Sequence, residues 1–165
     1  MENMEKLNFT SEVMVFESRF ELPKEIEELL VMASEAAKNA YSPYSHFKVG
    51  AAILLNNGVI ITGNNQENAA YPSGLCAERT AAFYASSQYP DVPFSRIAIS
   101  SHSALKQTTE PVTPCGGCRQ ALIEFEQKFN QKIEIILSGD VGKVYIFKSV
   151  ADLLPFSFHS GYLPK

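Results

Sequence analysis

Apolar positions mark out the elements of this chain. Ile26, Leu29, Leu30, Ala33, Ala36, Ala37 and Ala40 recur at helical spacing. Pro23 suits a first helical turn, and Glu25, Glu27 and Glu28 favour the positive end of a helix dipole. The pattern predicts a helix over residues 23–40, broken by the stretch around Pro43. Residues 47–55 are apolar and strand-like. Asn56-Asn57-Gly58 separates them from a second such run at 59–62, which predicts a hairpin. Residues 63–75 have no periodicity and many amides, so they read as loop. Helix formers return at 76–86, where Ala77, Ala81, Ala82 and Ala85 allow close packing. A strand is predicted at 96–101, a polar loop at 103–113 and a helix at 116–129 through Leu122, Ile123 and Phe125. Strands at 132–137 and 144–147 flank a short turn, and 149–154 suggest a short helix before Pro155. The first 22 residues give only a hint of an extended arm, around Val13 and Val15.

Helices alternating with strands give an α/β layer fold around a central sheet. The two tight strand-to-strand links make those pairs antiparallel, so the sheet is mixed.

Composition narrows the function classes. The chain has 165 residues, enough for one domain with a real core. It carries 14 basic and 18 acidic residues, a net charge of -4. A mildly acidic chain without a basic run is a poor partner for nucleic acid. No stretch reaches the ~20 apolar residues of a membrane span, and no apolar signal core follows the N-terminus. The expectation is a soluble, cytoplasmic protein that engages neither nucleic acid nor membrane.

The chemistry concentrates in two stretches, Cys76-Ala77-Glu78-Arg79 and Pro114-Cys115-Gly116-Gly117-Cys118-Arg119. They hold all 3 cysteines. An odd number in motif positions argues against a disulfide framework and for metal or redox chemistry. A Cys-x-x-Cys by itself also fits half of a structural zinc knuckle or a thioredoxin-type dithiol. A third cysteine at another predicted helix start, with Glu78 close by, tilts the reading toward a metal. A structural zinc site wants four ligands. Here there is no fourth cysteine, and His46, His102 and His159 stand in no ligand-like spacing. Three protein ligands leave a position open, which is the catalytic arrangement. Three thiolates on Zn²⁺ carry a formal charge of minus one. Two helix N-termini, together with Arg79 and Arg119, are placed to compensate.

These stretches resemble the cytidine deaminases, specifically the small homotetrameric kind with a three-cysteine zinc site. The resemblance runs over 23–158. It includes Tyr41-Ser-Pro-Tyr-Ser-His-Phe-Lys-Val-Gly-Ala-Ala, Asn65-Gln66-Glu67-Asn68-Ala69-Ala70-Tyr71 and Leu153-Leu-Pro-Phe-Ser-Phe158. It implies a three-layer α/β/α sandwich around a five-stranded mixed sheet. It implies Cys76, Cys115 and Cys118 as ligands of Zn²⁺, and Glu78 as the proton shuttle. The Ala77 N–H and the Thr113 carbonyl would hold the pyrimidine edge. Phe47 would pack on the base, with plain core as its other reading. Asn65 and Glu67 would bind the ribose, while Asn64 and Asn68 shape the loop. Phe158 would reach into a neighbour's site in a homotetramer with shared active sites; otherwise Phe156 and Phe158 cover the chain's own core. The implied reaction converts cytidine and deoxycytidine to uridine and deoxyuridine with release of ammonia, in pyrimidine salvage. A blasticidin-type nucleoside deaminase, a thiol-redox protein and an inert zinc module remain alternatives. His46 and Gln66 depart from the residues common in relatives, which leaves substrate preference open. Residues 23–165 form the catalytic domain on this reading. Residues 1–22 are an extension without a family counterpart, an assembly arm or a mobile tail.

Overall fold

A computed structural model describes residues 4–164. The elements in order are β1 (Met14–Phe16), α1 (Lys24–Lys38), β2 (Phe47–Leu55), β3 (Ile60–Asn64), α2 (Ala77–Gln88), β4 (Phe94–Ser103), α3 (Gly116–Phe129), β5 (Glu134–Ser138) and β6 (Val144–Phe147). Short 3₁₀ turns lie at Arg19–Glu21, Tyr71–Ser73, Val150–Leu153 and Ser160–Tyr162. The strands form one mixed sheet in the order β1-β6-β5-β4-β2-β3. Only β4 and β5 run parallel; α3 is the crossover between them. Both predicted tight links, β2–β3 and β5–β6, are antiparallel pairs.

The sheet has six strands where the resemblance implied five. The additional strand is β1, from the N-terminal extension, paired antiparallel with β6. It satisfies backbone groups that β6 would otherwise present as an open edge. Several boundaries also move: β4 runs over Phe94–Ser103 where 96–101 is predicted, and α2 and β5 each end one or two residues later than predicted. β3 continues to Asn64 inside the predicted loop, because Gly50 and Ala51 of β2 pair with Asn64 and Gly63. α1 stops at Lys38 because Asn39 and Ala40 donate to carbonyls three residues back, closing the helix in a tighter turn.

Strand alternation sorts the core into two halves, one on each face of the sheet. Ala51, Ile53, Leu55, Ile97, Ile99, Ile135 and Leu137 face α2 and α3. Ala52, Ala98, Ile136, Val144 and Ile146 face α1, meeting Ile26, Leu29, Leu30 and Ala33. This is a three-layer α/β/α sandwich. Small residues set its thickness. A Cβ on Gly50 would lie 1.9 Å from the Ala33 carbonyl oxygen, so α1 rests directly on β2. A Cβ on Gly63 would lie 2.6 Å from the Ala81 nitrogen and 2.9 Å from the Ala77 oxygen. That contact seats the first turns of α2 against β3.

Glu126 pins the third helix. Its buried carboxylate accepts hydrogen bonds from the Ile133 and Val150 N–H groups, both at 2.8 Å, and from the Ser149 hydroxyl at 2.8 Å. One side chain thereby joins α3 to the approach to β5 and to the 3₁₀ turn that leads to the C-terminus.

Candidate active site

α2 and α3 begin at the same end of the sheet's α2/α3 face, and each begins with a cysteine. Cys76 is the N-cap of α2 and Cys115 the N-cap of α3; neither uses its side chain to cap. Cys118 lies in the first turn of α3, fully buried. The Cys76 and Cys115 sulfurs are 3.9 Å apart, those of Cys115 and Cys118 3.5 Å, and all three lie within 4.8 Å of one another. Sulfurs at roughly 2.3 Å from one tetrahedral ion sit about 3.8 Å from each other. The observed spacings match that figure and are far beyond a disulfide bond. Soft thiolate donors also suit zinc. The cluster fits the ion, and it brings together the three cysteines singled out in the sequence.

Two sources of positive potential face the sulfurs. Thr80 is the first residue of α2 whose N–H finds a helical acceptor, the Cys76 carbonyl at 3.0 Å. The earlier N–H groups, that of Ala77 among them, remain without helical partners at the positive end of the dipole. The Arg79 guanidinium Nη2 donates to Cys76 Sγ at 3.7 Å, and its Nε is buried without a partner. A hydrogen bond from the Cys118 thiol, helped by Arg79 and opposed by burial, lowers the Cys76 thiol to about 5. Cys118 is pushed upward as the member that keeps the shared proton.

Glu78 is 5% exposed on the first turn of α2. Burial holds its pKa above the ordinary carboxylate range, and the nearby Cys76 charge adds to the effect. A carboxyl group in this setting binds and gives up protons closer to neutrality.

A cleft of about 520 Å³ opens beside Cys76 and Arg79, lined also by Tyr44, Ser45, Asn65, Glu67 and Tyr71. Its size suits a nucleoside-sized ligand. Glu67 accepts hydrogen bonds from the Tyr44 N–H at 2.9 Å and the Ser45 N–H at 3.3 Å, and from the Ser45 hydroxyl. The Ser45 hydroxyl is the main reason its pKa falls below the ordinary value. Asn65 accepts from the Val49 N–H at 2.7 Å and donates to the Phe47 carbonyl at 3.0 Å. One of its amide hydrogens stays available.

The other anticipated residues are placed as follows. Phe47 is half-buried at the start of β2 and lies outside the lining of this cleft. Thr113 is exposed, and its hydroxyl accepts from Arg119 at 2.9 Å. Arg119 also donates to the Pro114 carbonyl at 2.7 Å and the Leu153 carbonyl at 2.9 Å. It therefore braces the backbone that leads into Cys115; among the described residues its hydrogen bonds run to oxygen. Phe156 and Phe158 are 76% and 58% exposed, so they do not cover the chain's own core. His46 has φ of 54°, in the left-handed region where Asn and His are both well tolerated. His102 belongs to a polar network with Asp140 at 2.5 Å and Ser34 at 3.0 Å. Tyr44, Ser45 and Tyr71 were given no role from sequence. Their signal is the stretches that hold them: Tyr44 and Ser45 precede Phe47, and Tyr71 follows Asn65 and Glu67.

Three convergent sulfurs beside a buried carboxylate, at two helix N-termini backing a mixed sheet, form a candidate metal centre with an acid–base group in an α/β/α fold. Residues 23–131 match the family model described as the cytidine and deoxycytidylate deaminase zinc-binding region. A curated cytidine deaminase from Halalkalibacterium halodurans is 38% identical over 130 residues, 79% of this chain and 91% of that protein. One from Sporosarcina psychrophila is 39% identical over 137 residues, 81% of this chain and 91% of the relative. The crystal structure of cytidine deaminase from Burkholderia pseudomallei superposes with a TM-score of 0.71 at 39% identity, covering 83% of this chain and 100% of that one. This chain belongs to the cytidine and deoxycytidylate deaminase family.

Proposed function

We propose that this protein catalyses the zinc-dependent hydrolytic deamination of cytidine and deoxycytidine to uridine and deoxyuridine, with release of ammonia. The observation that carries this is the buried Glu78 carboxyl, two residues after the cysteine that opens a cluster of three convergent sulfurs. Cys76, Cys115 and Cys118 would hold the zinc ion, which when bound would supply the Lewis acidity that makes water nucleophilic near neutral pH.

Glu78 does the proton work. It accepts a proton from the attacking water and passes it to N3 of the cytosine. Protonation draws electron density from C4, where the new C–O bond forms. Glu78 then takes the remaining proton from the new C4 hydroxyl and gives it to the exocyclic amine, so that the C4 carbonyl forms as the C–N bond breaks. One water is consumed and one ammonia leaves. The upward pull of burial on Glu78 suits a group that must take and return a proton within a turnover.

The Ala77 N–H, without a helical acceptor, and the Thr113 carbonyl hold the pyrimidine edge. Phe47 packs on the base. The free amide hydrogen of Asn65 and the fixed carboxylate of Glu67 bind ribose hydroxyls. Negative charge at Glu67 disfavours a 5′-phosphate, so the substrate class is the free nucleoside rather than the nucleotide. Exposure of Phe156 and Phe158 supports a homotetramer in which Phe158 enters the adjacent subunit's site. Among the described residues no helix is long and apolar enough to cross a membrane. The reduced thiolate site fits a reducing compartment, and we place the enzyme in the cytoplasm, in pyrimidine salvage.

The test is a panel of cytidine, deoxycytidine, cytidine monophosphate and blasticidin with the zinc-loaded protein. Loss of cytidine and deoxycytidine ultraviolet absorbance with stoichiometric ammonia, and little turnover of the monophosphate, is expected. Inert nucleosides alongside rapid turnover of blasticidin or the monophosphate would overturn the assignment.

A further inference from the structure

Pro155 and Phe156 form a turn immediately before Phe158. Phe156 has φ of 62°. A proline followed by a residue of positive φ is the pattern of a type II turn, whose second position favours glycine or asparagine. The Cβ and ring of phenylalanine are disfavoured there, so neighbouring structure must hold the conformation.

That structure is the N-terminal arm. The Phe9 ring lies against Phe156, with centroids 4.2 Å apart and planes at 58°. The Ser11 hydroxyl donates to the Asp152 carbonyl at 2.7 Å, on the 3₁₀ turn that precedes Pro155. β1 then anchors the arm to β6. From the other side, Gln120 of α3 takes the Phe158 backbone by both ends. Its Nε2 donates to the Phe158 carbonyl at 2.8 Å, and its Oε1 accepts from the Phe158 N–H at 3.3 Å. The segment is thus fixed at two points while its aromatic rings stay exposed.

We infer that residues 9–16 form a strap that holds the turn at Phe156 and so sets the direction in which Phe158 leaves the subunit toward a neighbouring nucleoside pocket. The inference rests on the role given to Phe158 above. Phe9 and Ser11 are positioning residues: they act through Phe156 and Asp152 and touch no substrate. The strap turns an otherwise unassigned extension into part of the apparatus that completes the shared site.

The test uses the full zinc-loaded chain and steady-state kinetics with cytidine. Phe9→Ala is expected to raise KM roughly three- to tenfold, the range that loss of one aromatic pair gives. Its kcat and zinc content should match the parent. Ser11→Ala, a milder change, should move KM in the same direction. In a Phe156→Gly background, Phe9→Ala should add nothing, because the ring it touches is gone. A purely structural role would instead lower kcat, zinc content and melting temperature together. If Phe158→Ala raises KM while Phe9→Ala and Ser11→Ala do not, the strap is refuted and the role of Phe158 stands. Fully additive effects of Phe9→Ala and Phe156→Gly also refute it. If Phe158→Ala itself leaves KM unchanged, both the role of Phe158 and the strap fall. Should Phe9→Ala not fold, the Ser11→Ala kinetics decide.

Discussion

The Arg79 guanidinium stands 3.7 Å from the sulfur of Cys76, one helical turn behind it on α2. A fixed cation at that distance favours the thiolate over the thiol and offsets part of the excess negative charge of a three-thiolate site. Arg79→Ala is expected to leave the fold intact and weaken zinc retention about 10- to 100-fold. Competition with a chromophoric chelator reads this directly. Equal zinc affinity in the variant would remove Arg79 from the metal site.

Glu78 separates metal binding from proton transfer. Glu78→Gln keeps the side chain's shape and its place in the first turn of α2 but cannot ferry a proton. Zinc content should stay at the parent level, while turnover falls at least about a hundredfold, the low end for loss of a general acid–base group. Paired metal analysis and ammonia release check it. A variant that retains a tenth of the rate would leave the proton path without its proposed carrier.

Glu67 sets an acid limb on substrate binding. The Ser45 hydroxyl bond lowers its pKa below the ordinary 4.5, so its charge persists to lower pH than that of a free carboxylate. KM for cytidine should therefore stay flat from neutrality through the ordinary carboxylate range, and rise only as pH drops through the depressed value. Ser45→Ala releases the bond and should shift that rise to higher pH. Measuring KM against pH for both proteins tests the sign; coincident profiles for the two would remove Glu67 from ribose binding.

Glu126 carries stability rather than chemistry. Removing its carboxylate orphans two buried N–H groups, on Ile133 and Val150. Glu126→Ala should destabilise the fold by about 3 kcal/mol, the upper range for a charged hydrogen-bond acceptor lost from the interior. Denaturant unfolding measures this. A loss below about 1 kcal/mol would mean that water replaces the bonds.

Periodic segments were read well from the sequence, and the reason is local. α3 and the strands β2 and β6 fall at their predicted bounds because their apolar patterns run uninterrupted between clear turn residues. The metal cluster was legible because a Cys-x-x-Cys at a helix start places two sulfurs within one turn, and only Cys76 remained to join them. β1 was not legible. It is three residues long and mostly exposed, so its pairing depends on the edge of β6 and not on its own pattern. Arg119 stood out beside Cys118, but its oxygen partners, like the role of Glu126, were opaque for a related reason. Only the tertiary course of 113–114, 133 and 149–153 supplies their partners. Ser45 was hidden because the value of its hydroxyl depends on Glu67, far along the chain.

Cys76 and Cys115 are separated by 39 positions of sequence, yet each opens a helix on the same flank of the sheet. An ion gripped by both acts as a rivet between α2 and α3, closing a long loop that nothing covalent closes. Cofactor loading thereby reports on correct assembly: a chain whose flank has not docked offers no three-sulfur grip. Molecules that never capture the ion, or later lose it, should be the ones whose helical flank opens first to proteases.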